Sequence, residues 1–133
     1  MLKLPTVARV PARVWTVEEA NQALERVGAT VERVRATAEA ARIRQHDLVE
    51  RSPGNGHAQG GGEVDRLRAE VAALAAEGIV LRDLDQGLVD FDAVTADGRH
   101  YWLCWLVDEP EVAWWHWPED GFGGRAPISE PPR

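Results

Sequence analysis

Five of the six tryptophans of this chain fall between Trp102 and Trp117, in two short runs whose side chains alternate. Tryptophan brings a large apolar area and one N–H that needs a partner, so this density cannot lie on a solvated surface. Alternation along a strand places His100, Trp102, Cys104 and Leu106 on one face and Tyr101, Leu103, Trp105 and Val107 on the other. In the return run, Trp114 and His116 oppose Ala113, Trp115 and Trp117. Both faces are largely apolar, whereas an antiparallel sheet usually keeps one face wet. The pattern predicts helices against one side and a partner against the other.

Neighbouring segments extend the ribbon. Ile79–Leu81 and Leu88–Phe91 are short apolar runs, Asp97-Gly98 is a hairpin turn signal, and Asp108-Glu109-Pro110-Glu111 turns the chain again. The expected unit is a tryptophan-rich antiparallel β-meander of three to four strands over residues 79–117. Gly121, Gly123, Gly124, Pro127, Pro131 and Pro132 mark 118–133 as an irregular tail.

The first half of the chain changes period. Val17, Ala20, Leu24, Val27, Val31, Val34, Ala38, Ala41 and Leu48 recur at steps of three and four, with Gln45 the only interruption. Thr16 and Glu19 form a capping box at the start, Trp15 can staple against Ala20, and Gly28 costs about 1 kcal/mol relative to alanine. One helix is predicted over 16–51 and a second over 63–77, the latter with Val64, Leu67, Val71 and Leu74 on one side and Gly78 as its stop. The glycine-rich loop 52–62 joins them. It lacks the preceding strand and the Gly-Lys-Ser/Thr ending of a phosphate loop, so it reads as a flexible connector of a long antiparallel hairpin. Residues 1–14, with Pro5 and Pro11, read as an extended arm. The fold class is α+β, a helical hairpin on the meander, in a single domain over 1–133.

At 1.5 Å per residue the first helix would be about 50 Å long and the second about 22 Å. The earlier half of the first, with Leu24, Val27, Val31 and Val34, therefore needs the meander or a second copy of the chain.

Composition excludes several roles. The net charge of −7 repels phosphate backbones and anionic membranes, which argues against nucleic acid and membrane partners even though tryptophans can stack bases. No run approaches the roughly 18 apolar residues of a membrane helix, and Met1–Pro5 is too short for a secretory signal, so the cytoplasm is expected. Cys104 is the single cysteine; one cysteine cannot make an internal disulfide or by itself found a cysteine zinc site.

Gly78-Ile79-Val80-Leu81-Arg82-Asp83-Leu84-Asp85-Gln86-Gly87-Leu88-Val89-Asp90-Phe91 resembles the central signature of a bacterial family, the domain of unknown function 2203. Leu103-Cys104-Trp105, Trp115-His116 and Gly121-Phe122-Gly123-Gly124-Arg125-Ala126-Pro127-Ile128 resemble its later motifs, and Thr16-Val17-Glu18-Glu19-Ala20-Asn21 its helix start. The similarity runs from Trp15 to Ile128. Trp15 stands where phenylalanine is expected, and Asp92 where proline is expected. The resemblance implies a fold neighbourhood and a bacterial source. It implies no activity.

Three groups of residues can carry chemistry. In the acidic set Asp83, Asp85, Asp90, Asp92, Glu109 and Glu111, Asp83 and Asp85 would project to one side of an extended segment, about 6.6 Å apart. They could bind a divalent cation there, with His116 as neutral base or ligand, or simply bond turn N–H groups. His100 and Cys104 lie about 13 Å apart along one strand and cannot share a metal. Cys104 reads as an inert buried thiol; it can meet His116 across adjacent strands, but nothing activates it. Arg82, Arg99 and Arg125 can clamp an anion, stack on indoles, or pair with Asp83, Asp97 or Glu119.

Together these features point to a homodimeric interaction module without catalysis, using Trp102, Trp105, Trp114, Trp115, Trp117 and Arg125 as its interface or ligand face. The partner is a second copy or another protein. The rival reading is a metal-dependent enzyme or small-ligand binder around Asp83, Asp85 and His116, with no cofactor expected beyond that divalent ion.

Overall fold

The computed structural model describes residues 13–49 and 61–133. The extended arm and the glycine-rich loop fall almost wholly outside the described residues. The architecture is α+β. Helices α1 (Val17–Ala41), α2 (Gln45–Val49) and α3 (Gly61–Ala76) precede strands β1 (Ile79–Asp83), β2 (Leu88–Val94), β3 (His100–Leu106), β4 (Trp114–His116) and β5 (Ala126–Pro127). All strands pair antiparallel with their sequence neighbours, giving one five-stranded sheet in the order β1-β2-β3-β4-β5.

The capping box forms as the sequence predicts. Glu19 N–H donates to Thr16 Oγ1 at 3.1 Å, and Thr16 N–H to Glu19 Oε1 at 3.1 Å. The long first helix does not persist to residue 51. It stops at Ala41, where Arg42 turns left-handed with φ 58° and returns its N–H to Ala38 and Glu39. The reason lies at Gln45, the one polar break in the apolar seam. Beyond the stop, Gln45 Nε2 donates to the Arg82 carbonyl, and its Oε1 accepts from Leu84 N–H. A continuous helix would carry that amide away from the β1–β2 turn.

α3 runs antiparallel to α1, tied by ion pairs Arg26–Glu77 at 3.0 Å and Arg33–Glu70 at 3.0 Å. α1 also spans the sheet. Val112 N–H donates to Asn21 Oδ1 at 2.7 Å in the β3–β4 loop, and Arg35 donates to the Asp85 carbonyl at 2.6 Å in the β1–β2 turn. Between these grips Val27, Val31 and Val34 are fully buried, each contributing about 1.5–3 kcal/mol of apolar burial. The Trp105 ring packs over α1 at Gly28, where an added Cβ would meet it at 3.4 Å, an ordinary contact distance. The sheet thus covers the part of the first helix that α3 cannot reach, within one chain. The length mismatch between the helices gives no reason for a second copy.

The face alternation holds. Cross-strand pairs Ile79–Phe91, Leu81–Val89, Val89–Trp105, Phe91–Leu103, Leu103–Trp115 and Trp115–Ala126 form the helix-side core with Trp15. Trp15 is buried, edge-on to Phe91 at 5.4 Å, with its Nε1–H donated to the Glu77 carbonyl at 2.8 Å. The tail 118–133 is less irregular than its composition suggests. It supplies β5, and Glu130 accepts the Trp115 Nε1–H at 2.9 Å, which closes the core beyond the helices.

Candidate functional site

The face turned away from the helices centres on three buried polar side chains. Asp90 and Cys104 are direct partners on β2 and β3, and His116 pairs with Trp102 one step along β4. Alternation forces all three to one side. They are 2%, 0% and 4% exposed, and their ligand atoms lie within 4.8 Å of one another.

Hydrogen bonding fixes the imidazole. His116 Nδ1–H donates to the Trp117 carbonyl at 2.8 Å, and Nε2 faces Asp90 Oδ2 at 3.1 Å. A carbonyl only accepts, so the proton on Nδ1 is assigned by its partner. Nε2 is thereby turned toward the Asp90 carboxylate. Arg82 Nε–H also donates to Oδ2, at 2.9 Å. Asp90 Oδ1 is buried and has no hydrogen-bond partner among the described residues. Burial, then the negative charge of Asp90, pushes the Cys104 thiol up to about 12, so it is no nucleophile at neutral pH.

Two arginine–indole stacks flank the trio. The Arg82 guanidinium lies 4.7 Å from the Trp102 ring, and the Arg125 guanidinium lies 5.0 Å from Trp114 and 4.8 Å from Phe122. Arg125 Nη2 donates to both Glu109 oxygens, at 2.9 and 3.0 Å, while Glu109 Oε1 accepts from Leu106 N–H at 3.0 Å. Each arginine is thus both stacked and paired.

The residues predicted from the sequence separate across this geometry. Asp83 sits on β1 and bonds the backbone N–H and side chain of Gln86 at 3.2 and 3.3 Å, as a turn residue does. Asp85 lies exposed in the turn that follows. Three strand spacings of about 4.8 Å separate β1 from β4, so neither carboxylate reaches His116. Among the described residues His116 meets Asp90 and Cys104 instead. Arg99 pairs with Glu119 at 3.1 Å and covers Trp117. Arg82 pairs with Asp90 rather than Asp83. His100 pairs with Asp92 at 2.7 Å. The five clustered tryptophans divide: Trp105, Trp115 and Trp117 pack with the helix-side core, and Trp102 and Trp114 stand half-buried on the opposite face. Trp105 and Trp115 are buried, which leaves Trp102, Trp114 and Trp117 partly exposed, the first two on the face that carries Arg125.

Fold and site together define an α+β domain in which a helix pair backs a β-meander and the free face carries a buried Asp–Cys–His centre. The chain belongs to the family described as Uncharacterized conserved protein (DUF2203), whose sequence pattern matches residues 13–128. No curated protein and no solved structure matches it. Among the described residues, no helix is long and apolar enough to cross a membrane.

Proposed function

We propose that the chain is a non-catalytic interaction module that pairs with a second copy of itself through the sheet face the helices leave open. The observation that carries this reading is the placement of Trp102 and Trp114, half-buried on that face beneath Arg82 and Arg125. Tryptophan and arginine are the residues that dominate interface energetics.

Charge supports the same surface. Two chains of net charge −7 repel each other over most approaches. On this face the ion pairs Arg82–Asp90 and Arg125–Glu109 balance locally, so like charges do not oppose contact there. The unreactive thiol of Cys104 favours a binding role over covalent catalysis.

Light scattering on the full chain tests the reading. A dimer at micromolar concentration is expected, and Trp114→Ala should weaken it at least thirtyfold, the size of an interface hot spot. A wild-type chain that stays strictly monomeric at that concentration removes the proposal.

A further inference from the structure

We propose that Asp90, Cys104 and His116 form a binding site for one divalent transition-metal ion of the zinc class.

Three strands deliver three kinds of donor, a carboxylate, a thiol and an imidazole, to one buried point. The antiparallel register makes Asp90 and Cys104 neighbours and brings His116 beside them. A sulfur–nitrogen–oxygen set suits zinc and its neighbours, whereas magnesium and calcium demand oxygen alone. An Asp90 carboxylate and a Cys104 thiolate would supply two negative charges against a doubly charged ion.

Finer geometry agrees. Trp117 holds the far nitrogen of His116 through its carbonyl, the orienting contact that metal-binding histidines make. This turns Nε2 toward the centre. The two oxygens of Asp90 have different duties: Oδ2 serves Arg82 and His116, while Oδ1 is buried without a partner. A bound ion would sit between Asp90 and His116 and would release the Cys104 thiol proton to solvent as the sulfur became a ligand. Donor atoms on a tetrahedral zinc stand about 3.3–3.8 Å apart. The Asp90–His116 spacing of 3.1 Å is already close to that range. The widest spacing, at most 4.8 Å, would need to close by about 1 Å to fit it.

Cobalt is the probe, because Cys104 is the only cysteine and a sulfur-to-cobalt charge-transfer band can arise from this site alone. The untagged full chain is stripped with chelator and titrated with Co²⁺, then with Zn²⁺ as competitor. One ion per chain is expected, with the sulfur band, with a shift of one histidine Nε2 in ¹⁵N spectra, and with displacement by zinc. A Cys104→Ser chain that keeps its far-ultraviolet dichroism should lose the ion, and Asp83→Asn with Asp85→Asn should keep it. A folded wild-type chain that shows no sulfur band, or no histidine shift, overturns the proposal. So does a folded Cys104→Ser chain that takes cobalt with wild-type affinity.

Discussion

Asp90 and Cys104 face each other directly across β2 and β3, both shut off from solvent. Burial, and after it the neighbouring carboxylate, disfavours the Cys104 thiolate, and this contributes to the alkaline limb of stability. The free thiol titrates at 9.0, and in the metal-free fold it is held up at about 12. Above pH 9.0 the unfolded chain sheds this proton first, so the native state then binds more protons than the unfolded one and stability falls as pH rises. Full stability is expected below about 9, with up to a tenfold loss in the folding equilibrium per pH unit toward 12. Burial raises the Tyr101 hydroxyl in the same sense. Urea midpoints measured with chelator present, for wild type and Cys104→Ser, check this. The serine variant should show the shallower alkaline slope.

Asp90→Asn keeps the shape of the side chain and removes its charge. Arg82 is 42% exposed and can turn to water, so its loss is discounted, but His116 stays buried against an amide. A destabilisation of about 1–3 kcal/mol is expected, read as a lower urea midpoint at unchanged slope.

Two glycines should respond with opposite signs. Gly78 has φ +80°, and a Cβ there would sit 2.4 Å from the Arg13 carbonyl oxygen, so Gly78→Ala should cost more than about 1 kcal/mol. Gly28 is helical with an ordinary 3.4 Å approach to Trp105, so Gly28→Ala should gain about 0.4–1 kcal/mol. Thermal midpoints of both variants decide the pair; a destabilised Gly28→Ala would mean that the indole cannot give way.

Gln45→Ala removes two of the bonds that hold the β1–β2 turn to the helices and leaves the one from Arg35 to the Asp85 carbonyl. A loss of about 1–3 kcal/mol is expected. Amide exchange at Leu84 should accelerate, while exchange at Phe91 in the sheet centre follows only the global change.

Part of the buried centre was legible in the sequence: the Asp97-Gly98 signal joins β2 and β3 as a hairpin and so sets Asp90 and Cys104 on neighbouring strands. Their pairing was not, because a two-residue Asp-Gly turn would place Asp90 opposite Trp105, whereas the observed register centres on Asp97 and places it opposite Cys104. The short spacing of Asp83 and Asp85 offers a more familiar metal signal, and it misleads because their segment bends into a turn. The pairing of Trp102 with His116 is harder to read. It crosses a long loop whose position depends on Asn21, 91 residues away, and no local pattern encodes that bond. The same holds for the end of α1. The apolar period continues past Ala41, and only the amide of Gln45 marks the break. In the tail, glycine and proline composition hides β5, which is held by tertiary bonds such as Ile128 N–H to the Ala113 carbonyl at 3.0 Å.

The strand order β1-β2-β3-β4-β5 also bears on how the chain assembles. Each strand needs only its immediate successor, so the meander can zip progressively from local loops, a regime of low contact order. α1 is the exception. It leaves the ribosome before any strand exists, and its grip on Val112 waits for residues made much later. α3 can cover the later half of α1 as soon as it is made, but the earlier half waits for the β3–β4 loop, and until then that part of the helix is open to chaperones and to mispairing.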